Sequence, residues 1–189
     1  MYKKKAFFIV FEGIEGSGKS YHCKKALQFL KKKNFKTKSI REPGGCLSAE
    51  KIRNLILRGK INKFDKFTDT LLYLASRNEN FNKNIKPIIS KKKIIICDRF
   101  IDSTIAYQSY GLGVDKIIIK KINDYILNKI KPDLTIYLYA NKITLINRVN
   151  KRSNNNRYDK FSSNFYDKVH KGYLAISKHK KNFIKINTD

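Results

Sequence analysis

Two residues after an unbroken apolar run, Phe7 to Phe11, the chain reads Gly13-Ile-Glu-Gly-Ser-Gly18-Lys19-Ser20. This octad fits G-x-x-x-x-G-K-S, a glycine-rich turn whose backbone N–H groups point at phosphate oxygens. Lys19 is placed to reach the β and γ phosphates of a nucleoside triphosphate, and Ser20 offers a hydroxyl to Mg²⁺. From Ser20 to Lys33 a helix is expected, with Cys23, Ala26, Leu27 and Leu30 on one face. Its positive N-terminal end would face the same anion. Gly13, Ile14, Glu15, Gly16, Ser17, Gly18, Lys19 and Ser20 are therefore the expected ATP phosphate site. Buried strand, tight loop and helix in this order leave few folds open.

The rest of the chain repeats the alternation. Apolar strands are expected at Thr37 to Arg41, Ile94 to Cys97, Leu134 to Leu138 and Phe183 to Ile186. Between them lie helical stretches. Ser48 is read as the cap of a helix carrying Ile52, Leu55 and Ile56. A longer helix runs from Thr68 to Ile89, interrupted near Pro87. Asp115 caps a helix through Ile130, and others cover Ile143 to Lys151 and Phe161 to His179. Buried strands alternating with helices give an α/β fold: a parallel five-stranded sheet flanked by helices on both faces, within one domain over 1–189. Ligands of such sheets sit beyond the carboxyl ends of the strands.

Composition narrows the partners. The chain has 189 residues and a formal charge of +27, from 34 lysines and eight arginines against 15 acids. Lysines are spread end to end, together with many asparagines and isoleucines, whose codons share A/T richness. The charge is thus read as drift at solvated positions rather than as a specific nucleic-acid surface, and the eight arginines become the informative cations. No apolar run is long enough for a membrane span, and the N-terminus lacks a signal-peptide cleavage pattern. Cys23, Cys46 and Cys97 have neither disulfide nor zinc spacing, which points to the cytoplasm. Asp98, at the end of the Ile94 to Cys97 strand, is the candidate acid for Mg²⁺ beside Ser20.

In order along the chain stand the phosphate loop, Arg41-Glu-Pro-Gly-Gly45, Leu71-Leu-Tyr-Leu-Ala-Ser-Arg77, Asp98-Arg-Phe-Ile-Asp-Ser103-Thr-Ile-Ala-Tyr107-Gln108 and Lys131-Pro-Asp-Leu-Thr-Ile-Tyr-Leu138. Together these resemble bacterial thymidylate kinase over nearly the whole chain, with D-R-x-x-x-S-x-x-A-Y-Q the most specific part. The resemblance implies a nucleoside monophosphate kinase-like fold that transfers the γ-phosphoryl of ATP to dTMP, with Mg²⁺. A phosphate oxygen is already a nucleophile, its second pKa being about 6, so no general base is required. The work is alignment and charge neutralisation.

The resemblance also implies roles. Arg99 would hold the acceptor phosphate with its planar fork. Tyr73 would stack on the base and Arg77 donate to a thymine carbonyl. Ser103, Thr104, Tyr107 and Gln108 would face thymine and deoxyribose, and Glu15 the sugar 3′-hydroxyl. Gly16 stands where some members carry a catalytic arginine, which points to the subtype with that arginine in a mobile lid, here around 148–160. Lys19, Arg99 and the lid residues Arg152 and Arg157 are the expected catalytic cations. A homodimer is implied too.

Two departures stand out: Tyr139 replaces the family's usual Asp, and the chain stops at Asp189, where the family adds an adenine-embracing loop and a final helix. The expectation is a looser ATP site, lower stability or compensation by dimerisation. The sequence leaves two alternatives open: another nucleoside or nucleotide kinase of the same fold, or a catalytically impaired basic protein that binds nucleic acid.

Overall fold

The computed structural model describes residues 6–151 and 156–189. The apolar runs form strands because they are rich in β-branched and aromatic side chains and can be covered on both faces. β1 (Phe7–Glu12), β2 (Thr37–Arg41), β3 (Ile94–Asp98), β4 (Leu134–Tyr139) and β5 (Phe183–Asn187) make one parallel sheet in the order β2-β3-β1-β4-β5. Phe11 lies beside Asp98 on one side and Ile136 on the other. The two strands that lead into the phosphate loop and into the Asp98-Arg99 motif are therefore neighbours.

Alternation along each strand divides the core. Phe8, Val10, Ile95 and Cys97 pack with Phe81, Ile85, Ile88 and Leu127 on one face. Phe11, Ile96 and Leu138 meet Cys23, Ala26, Leu27 and Leu30 on the other. The last four belong to the amphipathic face of α1 (Lys19–Lys32). A further cluster centres on Tyr137 of β4, stacked at 4.6 Å on Tyr173 of α8 (Ser163–Ser177).

The other helices are α2 (Leu47–Leu57), α3 (Lys66–Asn80), α4 (Lys86–Ser90), α5 (Ile101–Thr104), α6 (Lys116–Leu127) and α7 (Lys142–Asn150). Widened π turns at Phe81–Ile85 and Ile105–Gly111 join α3 to α4 and prolong α5. No described helix is long and apolar enough to cross a membrane.

Four local expectations need correction. Ser48 is not the cap of α2; Cys46 holds that position, and the Ser48 hydroxyl donates instead to Glu79 of α3. α3 starts before Thr68, because Asp65 accepts from the N–H groups of Phe67 and Thr68 at 2.8 and 3.2 Å. The chain does not break at Pro87, which falls in the first turn of α4. A proline has no N–H and crowds the carbonyl four residues back; the wide turn at Phe81–Ile85 lies where that crowding would fall. α6 ends at Leu127 rather than Ile130, since Asn128 and Lys129 adopt left-handed conformations (φ 44° and 66°) that close a helix.

Candidate active site

The carboxyl ends of β1 and β3 open into a cleft of about 200 Å³. Glu12, the last residue of β1, is completely buried. Its carboxylate accepts from the N–H groups of Phe100 and Ser103 at 2.8 and 3.1 Å, and from the hydroxyls of Ser103 and Tyr173. It thereby ties the loop that follows β1 to the segment that follows β3 and to α8.

That segment is strained where it matters. Arg99 has φ 68°, a left-handed backbone that few non-glycine residues adopt. Its N–H donates to the Phe11 carbonyl at 2.9 Å, and its own carbonyl accepts from the Cys97 thiol at 3.0 Å. With the next N–H fixed on Glu12, the backbone is held and the side chain is aimed at the loop. The guanidinium donates to the Gly13 carbonyl at 2.9 Å and pairs with Glu15 at 2.6 Å. Glu15 also accepts from the Tyr107 hydroxyl. Burial pushes the Glu15 carboxyl up, but Arg99, then Lys19 and Tyr107, more than offset this and hold it below the usual carboxylate value.

Lys19 folds back on its own loop, donating to the Ile14 carbonyl at 2.8 Å and the Ser17 hydroxyl at 3.4 Å. It is the one buried lysine among the described residues. Burial, then repulsion from Arg99, lower its pKa to about 8. At the start of α1 the Ser20 hydroxyl donates to Asp98 at 2.7 Å.

The loop's free position, Gly16, has φ 81°, and a Cβ there would lie 2.5 Å from the Leu145 carbonyl of α7. α7 thus rests on the loop because this residue has no side chain. Arg148 of α7 reinforces the contact, donating to the Thr188 carbonyl at 2.6 Å and to the Gly16 carbonyl at 3.4 Å.

The opposite wall comes from α3 and α5. Arg77 is 2% exposed and fully engaged on one side. It donates to Glu42 and Asn123, both at 2.7 Å, and to Thr104 at 2.9 Å. Tyr73, Thr104, Tyr107 and Gln108 line the same cleft.

The family model described as thymidylate kinase matches residues 11–189. The chain belongs to the thymidylate kinase family. It is 40% identical over 181 residues to a thymidylate kinase of Mycoplasma capricolum, covering 95% of this chain and 85% of that protein. It is 42% identical over 173 residues to one of Ehrlichia ruminantium, covering 90% and 82%. The crystal structure of thymidylate kinase from Ehrlichia chaffeensis superposes with a TM-score of 0.81 at 34% identity, covering 98% of this chain and 88% of that one.

Within the family frame, the expected residues divide. Glu15, Lys19, Ser20, Tyr73, Arg77, Asp98, Arg99, Ser103, Thr104, Tyr107 and Gln108 all line one cleft. The Ser103 hydroxyl is spent on Glu12 and Tyr173. Arg157 is not brought to the cleft: its guanidinium is buried against Asp69 of α3, where an unpaired charge would be costly. Arg152 lies outside the described residues. Arg99 pairs with Glu15 rather than with its sequence neighbours Asp98 and Asp102, and Asp102 pairs with Lys180 at 2.6 Å. Tyr139 stacks on Tyr137 at 6.1 Å, and its carbonyl accepts from the Thr188 N–H at 2.8 Å.

Sequence reasoning missed Glu12, Arg53 and Tyr158. Arg53 lines the cleft and donates to the Pro43 carbonyl at 2.7 Å. Its signal was present, since it is one of only eight arginines in a lysine-rich chain. Glu12 reads as an ordinary strand-end acid until its four donors are seen.

The Lys19 pKa sets a pH dependence. Only the ammonium form neutralises phosphate, and bound phosphate raises its pKa, so binding takes up a proton as pH passes 8. ATP affinity of the free protein is expected to fall about tenfold between roughly pH 7 and 9. Calorimetric Kd measurements across that range, with proton uptake read from buffers of different ionisation enthalpy, check this.

Proposed function

We propose that this chain transfers the γ-phosphoryl group of ATP to dTMP, giving dTDP. The observation that carries the reading is the meeting of two sets of side chains in one cleft. Lys19 and the loop amides form a triphosphate end, and Tyr73, Arg77, Thr104 and Gln108 a base end. Arg99 stands between them, paired with Glu15. The two nucleotides then approach end to end, which a phosphoryl transfer demands.

In this reading the acceptor phosphate displaces the Arg99 guanidinium from part of its contact with Glu15 and takes two of its N–H donors. Glu15, released on that side, receives the sugar 3′-hydroxyl. An oxygen of the acceptor phosphate attacks the γ-phosphorus in line, and the bond to the β-bridging oxygen breaks. Lys19 leaves its carbonyl partner and follows the developing charge on the transferred group. Tyr73 offers its ring to the base. Arg77, already held on three sides, needs no reorganisation to donate to a base carbonyl.

Mg²⁺ suits the hard oxygen pair of Ser20 and Asp98, which lie within hydrogen-bond distance of each other. Mg²⁺ keeps much of its water shell, so one or two protein oxygens suffice to hold it beside the phosphates. When bound it supplies charge neutralisation across the β and γ phosphates. In this reading the transition-state arginine is Arg152, in the stretch of sequence between α7 and the turn at Arg157–Lys160.

Leu55 of α2, Phe67 and Leu71 of α3, and Ile117 and Ile118 of α6 are exposed on three helices that pack side by side through α3. This apolar strip suits pairing with a second copy. The three free cysteines suit the reducing cytoplasm. A nucleic-acid role is less well supported: Lys19, Arg41, Arg53, Arg77 and Arg99 converge on the cleft, as a kinase requires.

The deciding assay is ADP release from ATP and Mg²⁺ with each nucleoside monophosphate in turn. dTMP is expected to give the highest kcat/KM, and absence of dTMP-dependent turnover rejects the proposal. Arg99→Ala is expected to lower kcat/KM for dTMP by roughly 10²–10³, while ATP Kd changes little; parallel loss of both contradicts its place at the acceptor phosphate. Sedimentation is expected to show a dimer, and Leu71→Glu to shift it towards monomer; a wild-type monomer at micromolar concentration rejects the pairing.

A further inference from the structure

α3 carries three side chains at four-residue spacing, Asp69, Tyr73 and Arg77, and so on one face. Two of them line the acceptor cleft. Asp69 does not, yet it is only 3% exposed. Its carboxylate accepts from Arg157, itself 2% exposed, and from the Tyr158 hydroxyl at 2.9 Å. Both partners belong to a short 3₁₀ turn, Arg157–Lys160.

That turn is built to be held in one place. Asn156 and Asp159 close it with reciprocal hydrogen bonds, and the Tyr166 hydroxyl of α8 donates to the Tyr158 carbonyl at 2.6 Å. Its aromatic residue faces the cleft. The Tyr158 ring stands edge-on to Tyr73 at 6.1 Å and to Tyr107 at 5.7 Å, and its hydroxyl accepts from Gln108 at 3.2 Å. Asn156 lines the cleft beside it. Three of the proposed acceptor contacts therefore depend on where Tyr158 sits, and Tyr158 is fixed by Asp69.

Burying an aspartate and an arginine removes both from water, and apolar side chains of similar volume would fill the space at lower cost. An ionic pair here is better explained by direction than by stability: a carboxylate can orient a guanidinium and a hydroxyl together, which an alkyl group cannot. We infer that Asp69 is a positioning residue for the acceptor cleft, acting through Arg157 and Tyr158 to set the wall shared by Tyr73, Tyr107 and Gln108. Asp69 touches neither nucleotide. Its effect falls on acceptor recognition and leaves the triphosphate loop, on the far side of Arg99, unaltered. This inference rests on the acceptor reading proposed above.

Two variants test it in the full-length protein. Asp69→Asn keeps the size and one acceptor oxygen for Tyr158 but removes the charge that orients Arg157. Tyr158→Phe removes only the hydroxyl shared by Asp69 and Gln108. Asp69→Asn is expected to raise the KM for dTMP about tenfold, with kcat within about twofold and ATP Kd unchanged. Tyr158→Phe is expected to move the same constants in the same direction by less, and the double variant to fall short of the product of the two. An unchanged dTMP KM in a folded Asp69→Asn protein overturns the inference, as does a parallel loss of dTMP and ATP affinity. If Asp69→Asn does not fold, Tyr158→Phe decides alone by the same criterion. Failure of the acceptor reading is a separate result: the unaltered protein would then show no saturable dependence on dTMP.

Discussion

A buried carboxylate organises the working end of this molecule. Glu12 terminates the central strand, is shut off from water and gathers four donors from two other parts of the chain. Burial, then the nearby Asp102 charge, push its pKa up. Such a group persists only while its donors stay in place, because each one lost leaves a buried oxygen unsatisfied. The left-handed turn at Arg99 inherits that rigidity. A backbone conformation costing about 1–3 kcal/mol is over-determined by Glu12, Phe11 and Cys97 around it. The arginine thus enters the cleft pre-aimed, and its pairing with Glu15 follows.

Much of this was legible in the sequence, for physical reasons that differ from element to element. The strand pattern was readable because strands buried on both faces leave unbroken apolar runs such as Phe7 to Phe11 and Ile94 to Cys97. Sheet order was not, since no local property says that β3 lies between β2 and β1. Helix ends were missed wherever the deciding group was a side chain competing with a better partner, as with Ser48 and Glu79, or an asparagine turning left-handed, as with Asn128. Lining residues of the cleft were found through the family resemblance, and helical periodicity explains why Tyr73 and Arg77, or Thr104 and Gln108, reach it together. Arg157 shows the limit of that approach. An arginine in a polar stretch reads as a cation seeking phosphate, and only tertiary structure reveals an aspartate 88 positions away that already holds it.

The net charge of +27 also changes meaning once placed in space. Among the described residues Lys19 alone of the lysines is buried, and the rest line a solvated exterior. The arginines are distributed otherwise: Arg41, Arg53, Arg77 and Arg99 border one cleft. A field of mobile lysines attracts any polyanion, whereas guanidinium groups fixed by Glu42, Glu15 and backbone carbonyls discriminate by geometry.

The contact between Gly16 and the carbonyl of Leu145 bears on how such enzymes diverge. A first methyl group at position 16 already collides with the backbone of α7, long before a guanidinium has been added. A lineage with this packing cannot acquire a loop arginine by a single substitution and keep its helix where it is. Retreat of α7 would have to come first. Position 16 is thus closed to every side chain while α7 stays where it is, and one hydrogen atom in place of a side chain sets how near the helix lies to the loop.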